Sequence, residues 1–387
     1  MRSPISPLLA LAIGAFGIGV TEFAPMGMLP SIAADLGVSI PSAGLLISAY
    51  AMGVLIGAPL MTLATARVPR RTLLVSLMAI FTVGNLLSAL ADNYTFLLMA
   101  RVLTSFNHGA FFGVGSVVAA SVVAPEKRAG AVASMFLGLT IATIGGVPLA
   151  TWVGEMFGWR AAFWGITGLG VLAMLALRVA LPALPADKGG NMMSEIKVLG
   201  RAPVLAALAL TVLGSSAMFT VFTYIVPILR HEAHASTAFV TAMLVLYGIG
   251  LTIGNVWGGR STDRAPDRTL VVSLGVLTLI LLAFAVVMKW QVLAAVAILG
   301  WGIASFAIVP PLQMRVMAAA AEAPNLASAM NIGAFNLGNA IGAALGGAVI
   351  GANLGYPAVS LAGAAMAASA LVLFLLLNAK GRRNAVA

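Results

Sequence analysis

Residues 50–77 read YAMGVLIGAPLMTLATARVPRRTLLVSL, and residues 247–274 read YGIGLTIGNVWGGRSTDRAPDRTLVVSL. Offset by 197 residues and without a gap, 13 of the 28 positions are identical, from Tyr50/Tyr247 and Gly53/Gly250 to the run that ends Leu77/Leu274. The shared Arg-x-Pro-x-Arg-Thr-Leu-x-Val-Ser-Leu core mixes charge, proline and β-branched residues, which low complexity does not generate. The same offset pairs Gly145/Gly342, Gly154/Gly351 and Gly158/Gly355. The chain is therefore a tandem repeat of two homologous halves.

Composition says what those halves are made of. Of 387 residues, 61% are hydrophobic and 8% charged, with 42 glycines, 19 methionines and no cysteine. Mean hydropathy is +1.06. A water-soluble domain carries about a quarter charged residues, so a soluble globule is excluded, as is a disordered chain. Absence of cysteine excludes a disulfide framework, a thiolate metal site and a thiol nucleophile. A helix crossing a bilayer needs about 20 apolar residues. Twelve such stretches are predicted, at about 7–33, 42–64, 72–91, 95–121, 130–154, 161–181, 203–229, 237–259, 270–288, 292–316, 326–352 and 357–378. The apolar run after Arg2 is read as the first span and not as a cleaved leader, because it continues past Glu22 without a small-residue cleavage site. The expected class is an all-α membrane protein with six spans per half: 1–181, a polar linker at 182–202, and 203–387 with a short tail.

Basic residues predict the orientation. With the N-terminus inside, 17 of the 21 lysines and arginines fall on inner loops and ends, three fall outside (Arg160, Arg230, Lys289), and Arg101 lies within span four. That asymmetry predicts both termini in the cytoplasm. It also accounts for the net charge of +10 without a nucleic-acid partner. The partners expected are the lipid bilayer and a small-molecule substrate, with the chain acting as a monomer. Six spans per half is an even number, so the halves run parallel. In transporters built this way the substrate site lies near the bilayer midplane.

Twelve spans, a six-plus-six repeat, a central linker and basic loops after spans two and eight resemble the major facilitator superfamily. Within it, several stretches are similar to the twelve-helix drug:proton antiporter branch, including bacterial sugar-efflux, nucleoside-efflux and chloramphenicol-resistance proteins. The residues are Thr21-Glu22-Phe23-Ala24-Pro25-Met26-Gly27 in span one, Arg101 and His108-Gly109-Ala110-Phe111-Phe112-Gly113 in span four, Gly145-Gly146-Val147-Pro148 in span five, and Phe157-Gly158-Trp159-Arg160 after it. The resemblance implies that Arg101 takes part in proton coupling and that the loops bearing Arg67, Arg71, Asp263, Arg264 and Arg268 gate the inner side. Two departures stand out. The family's aspartate in the first loop is replaced by Ala66, whereas the second loop keeps Asp263. Val147 also separates Gly146 from Pro148 where the antiporter signature has Gly-Pro.

The polar residues inside spans carry the candidate chemistry. An ionised carboxylate at the centre of a membrane helix costs roughly 2.5–3.5 kcal/mol on insertion scales, so Glu22 is expected to face water or a partner. An apolar environment favours the neutral acid over the carboxylate, which lets proton uptake and release accompany cargo movement. The alternative is a glutamic acid hydrogen-bonded for packing. Arg101 and His108 are seven residues apart, two turns, and share a face about 10 Å apart. Arginine keeps its proton and acts as a fixed charge, or snorkels to the interface. Histidine relays protons or packs. Ser105 and Phe112 continue the stripe. Asn107, Asn336 and Asn339 bind cargo or join helices. Phe23, Met26, Phe219, Tyr224 and Trp301 are candidate cavity residues, and Pro148 a hinge.

Other chemistries fail at the sequence level. There is no phosphate-binding glycine loop, no nicotinamide fingerprint and no zinc motif, and Ser116 and Ser215 lack an evident base. The expectation is a non-enzymatic secondary transporter of a bacterial inner membrane, driven by the proton gradient with no bound cofactor. Export of a drug, sugar or nucleoside-like molecule is the leading reading. Uptake of a sugar or nucleoside is the alternative, and a membrane sensor a distant third.

Overall fold

The computed structural model describes residues 5–65, 67–124, 128–183, 198, 200–322 and 324–386. Arg2, Ala66, Lys127, Lys188 and Lys197, and most of the expected linker, lie outside the described residues. All secondary structure described is helical. Twelve helices are long and apolar enough to cross a membrane: Pro7–Gly27, Ile40–Ala58, Arg70–Ala89, Tyr94–Ser121, Ala131–Phe157 and Trp159–Ala180, then Ala202–Phe222, Thr237–Arg264, Pro266–Val287, Gln291–Ala319, Met330–Gly351 and Tyr356–Ala379. They are called spans one to twelve. The chain forms two compact units, residues 1–191 and 192–387.

Capping chemistry starts several spans where the sequence changes character. Ser6 accepts from the Leu9 amide with Pro7 in the first turn, Asn93 accepts from Phe96, and Ser236 accepts from Phe239. Each side-chain oxygen satisfies an amide that lacks an intrahelical partner. Proline shapes the ends and bends. Span one stops at Gly27, and the chain turns at Met28 into a short helix, Leu29–Asp35, with Pro30 in its first turn. In span five a π-turn, Ala142–Gly146, immediately precedes Pro148. Pro148 has no amide hydrogen to give the Ile144 carbonyl, so the regular ladder is broken there. Span four is interrupted at Phe106–Asn107 and span ten at Ile308, ahead of Pro310 and Pro311.

Lipid is as apolar as leucine, so the helices associate through close packing and not through burial from water. Within the first unit, a side chain at Gly53 of span two would collide with Ser105 of span four, and one at Gly57 with Phe106. Within the second, Gly250 of span eight is pressed on Leu299 and Gly302 of span ten, and Gly254 on the Ile303 backbone. These partners are again 197 residues apart, so the sequence repeat is a repeat of helix contacts. Gly158 and Gly355 also match, both with positive φ (88° and 83°) at the turns into spans six and twelve. Gly145 and Gly342 do not. Gly145 has open space beside it, whereas Gly342 is packed on Ser216 and Thr220 of span seven. The π-turn widens span five at this point, so the faces presented by equivalent residues differ there although the sequence offset is kept.

Polar ties hold the helix ends. In the first unit, at the end away from the N-terminus, Arg160 donates twice to the Ala91 carbonyl, at 2.9 and 2.7 Å, and once to Asp35. Trp159 Nε1 donates to the same carboxylate at 3.1 Å, and the Arg160 guanidinium lies 4.2 Å from the Trp159 ring centroid. This joins the segments after spans one, three and five. In the second unit, Arg315 pairs with Asp267 at 3.1 Å and with Asn378 at 2.9 Å. Arg201 makes a two-pronged bond to Glu322.

Two expected outcomes follow from this packing. Gly254→Leu forces a branched side chain into the Ile303 carbonyl, and overpacking of this kind costs about 1–3 kcal/mol or more. Folded yield after heating, read by fluorescence size-exclusion chromatography, should fall sharply, while Gly275→Ala, which has open space, should match the parent. At the Asp35 tie, the Arg160 hydrogen bonds hold the carboxyl below its ordinary value of 3.8. A lowered carboxyl contributes stability above the unfolded-state value and loses it as pH falls through the folded-state value. Asp35→Asn should therefore lower the melting temperature by about 1–3 °C at pH 7, with the gap to the parent closing below about pH 4.

Candidate functional site

The polar side chains of spans one to four converge inside the first unit. Thr21 and Glu22 lie in the last two turns of span one. Tyr50 comes from span two, Asn85 from span three, and Arg101, Asn107 and His108 from span four. All are buried, Glu22 at 8% exposed and Arg101 at 1%. The glycine contacts at Gly53 and Gly57 draw spans two and four together, which brings the Tyr50 hydroxyl to 3.2 Å from His108 Nδ1. The nearer Glu22 carboxylate oxygen is 3.9 Å from the same nitrogen, within electrostatic range but beyond a hydrogen bond.

Arg101 is held from two sides. Its guanidinium lies over the Tyr50 ring, 4.3 Å from the centroid. One amino group donates to Thr21 at 3.1 Å, and Thr21 donates in turn to Asn85 at 2.6 Å. Asn85 is oriented by its own bond to the Phe81 carbonyl. Arg101 Nε and its other amino group have no hydrogen-bond partner, and neither end of the Asn107 amide has one. Asn107 lies at the interruption of span four, in the turn between its two helical segments.

The chemistry of this arrangement follows from what each group can do. A guanidinium cannot shed its proton, so the cluster carries one permanent positive charge. Glu22 is the group that can balance it. With Glu22 ionised, the pair is near neutral. With Glu22 protonated, Arg101 is left as an uncompensated buried cation, which is unfavourable unless another acceptor arrives. His108 and the Tyr50 hydroxyl form a second polar pair, with His108 Nδ1 3.9 Å from the Glu22 carboxylate. The sequence brings Glu22, Arg101 and His108 into view. Thr21, Tyr50 and Asn85 are the supporting residues it does not single out, although the Tyr50/Tyr247 identity in the repeat marks one of them.

Other expected site residues are distributed unevenly. Phe112 packs beside the His108 ring at 5.2 Å and stacks on Phe136 at 5.1 Å. Phe23 and Met26 are buried in span one. Ser105, expected on the cavity stripe, instead bonds the Val102 carbonyl of its own helix and lies against Gly53. In the second unit, Trp301 sits in an aromatic cluster with Phe222, and Phe219 borders Phe222. Tyr224 and Asn339, expected in the cavity, are engaged in hydrogen bonds between helices. The Tyr224 hydroxyl donates to Ala343 O at 2.8 Å, and Asn339 accepts from Ser215, so both join span seven to span eleven. Asn336 donates to Ile332 O, and its amide oxygen has no partner.

The expected gating residues are also spread out. Arg67, Asp263, Arg264 and Arg268 are exposed, Arg71 donates to Leu181 O, and Pro148 is buried beside the π-turn. Among the described residues the ion pair in the second loop belongs to Asp267 with Arg315, not to Asp263. No group of three or more histidines and acids that could hold a metal ion occurs among the described residues.

Comparison with known proteins agrees with this architecture. The chain is 58% identical over 367 residues to the "Inner membrane transport protein YdhP" of Escherichia coli, covering 95% of this chain and 94% of that protein. It is 32% identical to a "Probable sugar efflux transporter" of Mannheimia succiniciproducens, covering 97% and 94%. Its fold matches a crystal structure of a D-xylose-proton symporter with a TM-score of 0.74 over 93% of this chain and 96% of that one, at 15% identity. The Major Facilitator Superfamily pattern matches residues 11–332 and 208–386. With twelve spans in two repeated units and a family match across nearly its whole length, the chain belongs to the Major Facilitator Superfamily of membrane transporters.

Proposed function

We propose that this transporter is a proton-driven exporter of small organic molecules in a bacterial inner membrane. The observation that carries the reading is the buried Glu22–Arg101–His108 cluster, which holds one carboxyl and one fixed cation together inside the first unit. Proton entry neutralises Glu22 and leaves Arg101 needing an acceptor. Proton loss restores the pair. A cycle in which cargo and proton bind alternately converts the gradient into uphill transport without ATP. The similarity to a sugar efflux transporter favours the outward direction, and the similarity to YdhP favours the inner membrane. The basic-loop asymmetry favours cytoplasmic termini. The working unit in this proposal is a monomer in lipid, with a small-molecule substrate as its ligand.

A resistance and metabolite-efflux screen in an efflux-deficient host supplies a cargo. Proteoliposomes with an imposed pH gradient then test the cycle. Glu22→Gln should lower gradient-driven accumulation at least tenfold while cargo exchange at equal pH continues. Undiminished accumulation by that variant would overturn the proposal. Proton movement in the same vesicles should run opposite to cargo; parallel movement would make the protein a symporter.

Arg101 is expected to set the pH at which the cycle turns. Arg101→Ala removes the fixed charge beside Glu22, and the neutral form of a carboxyl then persists to higher pH. The pH profile of transport should move to more alkaline values. Arg101→Lys keeps the charge but not the planar fork, and should recover part of the shift. An unchanged profile for Arg101→Ala would remove Arg101 from the coupling.

A further inference from the structure

The offset of 197 also relates the ends of the two units that lie away from the N-terminus, and there the chemistry differs. It carries Asp35 onto Glu232, Ala91 onto Met288, Asp92 onto Lys289, Trp159 onto Tyr356 and Arg160 onto Pro357. The backbone frame is kept, since Gly158 and Gly355 make the same positive-φ turn into spans six and twelve. In the first unit Arg160 closes this end by donating to Asp35 and to the Ala91 carbonyl. Proline has no guanidinium to offer, so the second unit lacks that tie. Glu232 instead faces His231, with 3.4 Å between Oε1 and Nδ1, and the His231 ring lies 5.1 Å from that of Tyr356.

At this end of the second unit lies an open groove of about 620 Å³, lined by Ala233 on one side and by Lys289, Trp290, Gln291, Val292 and Leu293 on the other. Gln291 Nε2 donates to the Ala233 carbonyl at 3.1 Å and fixes the two walls to each other. That volume is of small-ligand size. Lys289 is exposed, and among the described residues no carboxylate lies within ion-pairing distance of it. The other two basic residues outside the inner loops have work in the fold: Arg160 holds Asp35, and Arg230 donates to Thr237 at 3.0 Å. Trp290 is 55% exposed, and Val292 and Val296 are 77% and 67% exposed. A tryptophan at the end of a span marks the membrane–water boundary, and the exposed valines continue from it along the apolar face of span ten.

We infer that this groove binds one anionic phospholipid, of the phosphatidylglycerol type. Lys289 meets the phosphate, Trp290 stands at headgroup level, and the acyl chains run along Val292 and Val296. Charge decides between lipid classes. A zwitterionic lipid brings an ammonium group along with its phosphate, and Glu232 at this end is already engaged with His231. An anionic lipid supplies only the negative charge that Lys289 lacks. Seated there, the lipid takes over part of what Arg160 does in the first unit, bridging the end of the short helix Ile225–Glu232 to the turn before span ten. The inference stands apart from the transport reading and needs neither cargo nor proton coupling.

The test is photocrosslinking of the full-length protein in nanodiscs of equal phosphatidylglycerol and phosphatidylethanolamine. The photoreactive amino acid p-benzoylphenylalanine replaces Val296, just outside the groove, or as a control Leu172, which is 50% exposed on span six. Adducts are identified by mass. Relative to the control position, phosphatidylglycerol should be enriched over phosphatidylethanolamine about fivefold, the size expected of one basic residue against an anionic lipid. Lys289→Gln should remove the enrichment and Lys289→Arg should keep it. Lys289 is exposed, so both variants should elute as the folded parent does; if Lys289→Gln does not, the parent at high salt decides, because screening should shrink the enrichment. Equal lipid ratios at the two positions would overturn the inference. So would an enrichment that survives Lys289→Gln or high salt, or crosslinking at position 296 to a second copy of the chain in place of lipid.

Discussion

A guanidinium that cannot be neutralised by losing its proton is buried at Arg101, on a helix that crosses a membrane. Most of the first unit's polar architecture answers to that charge. Tyr50 presents its ring to it, Thr21 accepts from it, Asn85 orients Thr21, and Glu22 supplies the only acid buried deep in a span among the described residues. Removing the charge by burial in apolar surroundings is not open to arginine, so the protein must surround it. Glu22 is the acid of this cluster, and its protonation state decides whether a negative charge stands near Arg101. The same cost explains why the second unit, which has no buried arginine among its described residues, has no buried acid there either.

Gene duplication leaves two frames that began alike, and the helix contacts remain alike where they matter for packing. Glycines on spans two and eight let spans four and ten approach to backbone contact, and the partners keep one offset. On that shared frame the side chains have diverged, from Tyr50 and His108 to Tyr247 and Ser305 inside the bundle and from Arg160 to Pro357 at its end. The divergence is possible because the close contacts are made by glycine and backbone. The residues one turn away are then free to change without disturbing the bundle.

The interruptions in the helices fall beside these buried polar positions. Span four is broken at Asn107, between Arg101 and His108, and span ten at Ile308, just after Ser305. Span five carries a π-turn ahead of Pro148. In a bilayer an unsatisfied backbone group is costly, so irregular backbone persists only where protein or a polar cavity shelters it. Discontinuities also allow one half of a helix to move relative to the other, which a continuous ladder of hydrogen bonds resists. The unpartnered amide of Asn107 lies at such a point.

Hydropathy, the repeat and the count of basic residues were enough to establish from sequence a twelve-span duplicated transporter and to single out Glu22, Arg101 and His108. Those properties are local: length, polarity and spacing along the chain decide them before any helix meets another. Tertiary structure alone decided which side chains meet. Spans here are apolar all round, because one face meets lipid and the other meets protein, so periodicity does not reveal which face is inside. The rotation of each helix about its axis is set by small-residue contacts between segments roughly 50 to 120 positions apart. Those contacts bring Tyr50 to His108 and Thr21 to Arg101, turn Ser105, Tyr224 and Asn339 towards neighbouring helices, and pair Arg315 with Asp267.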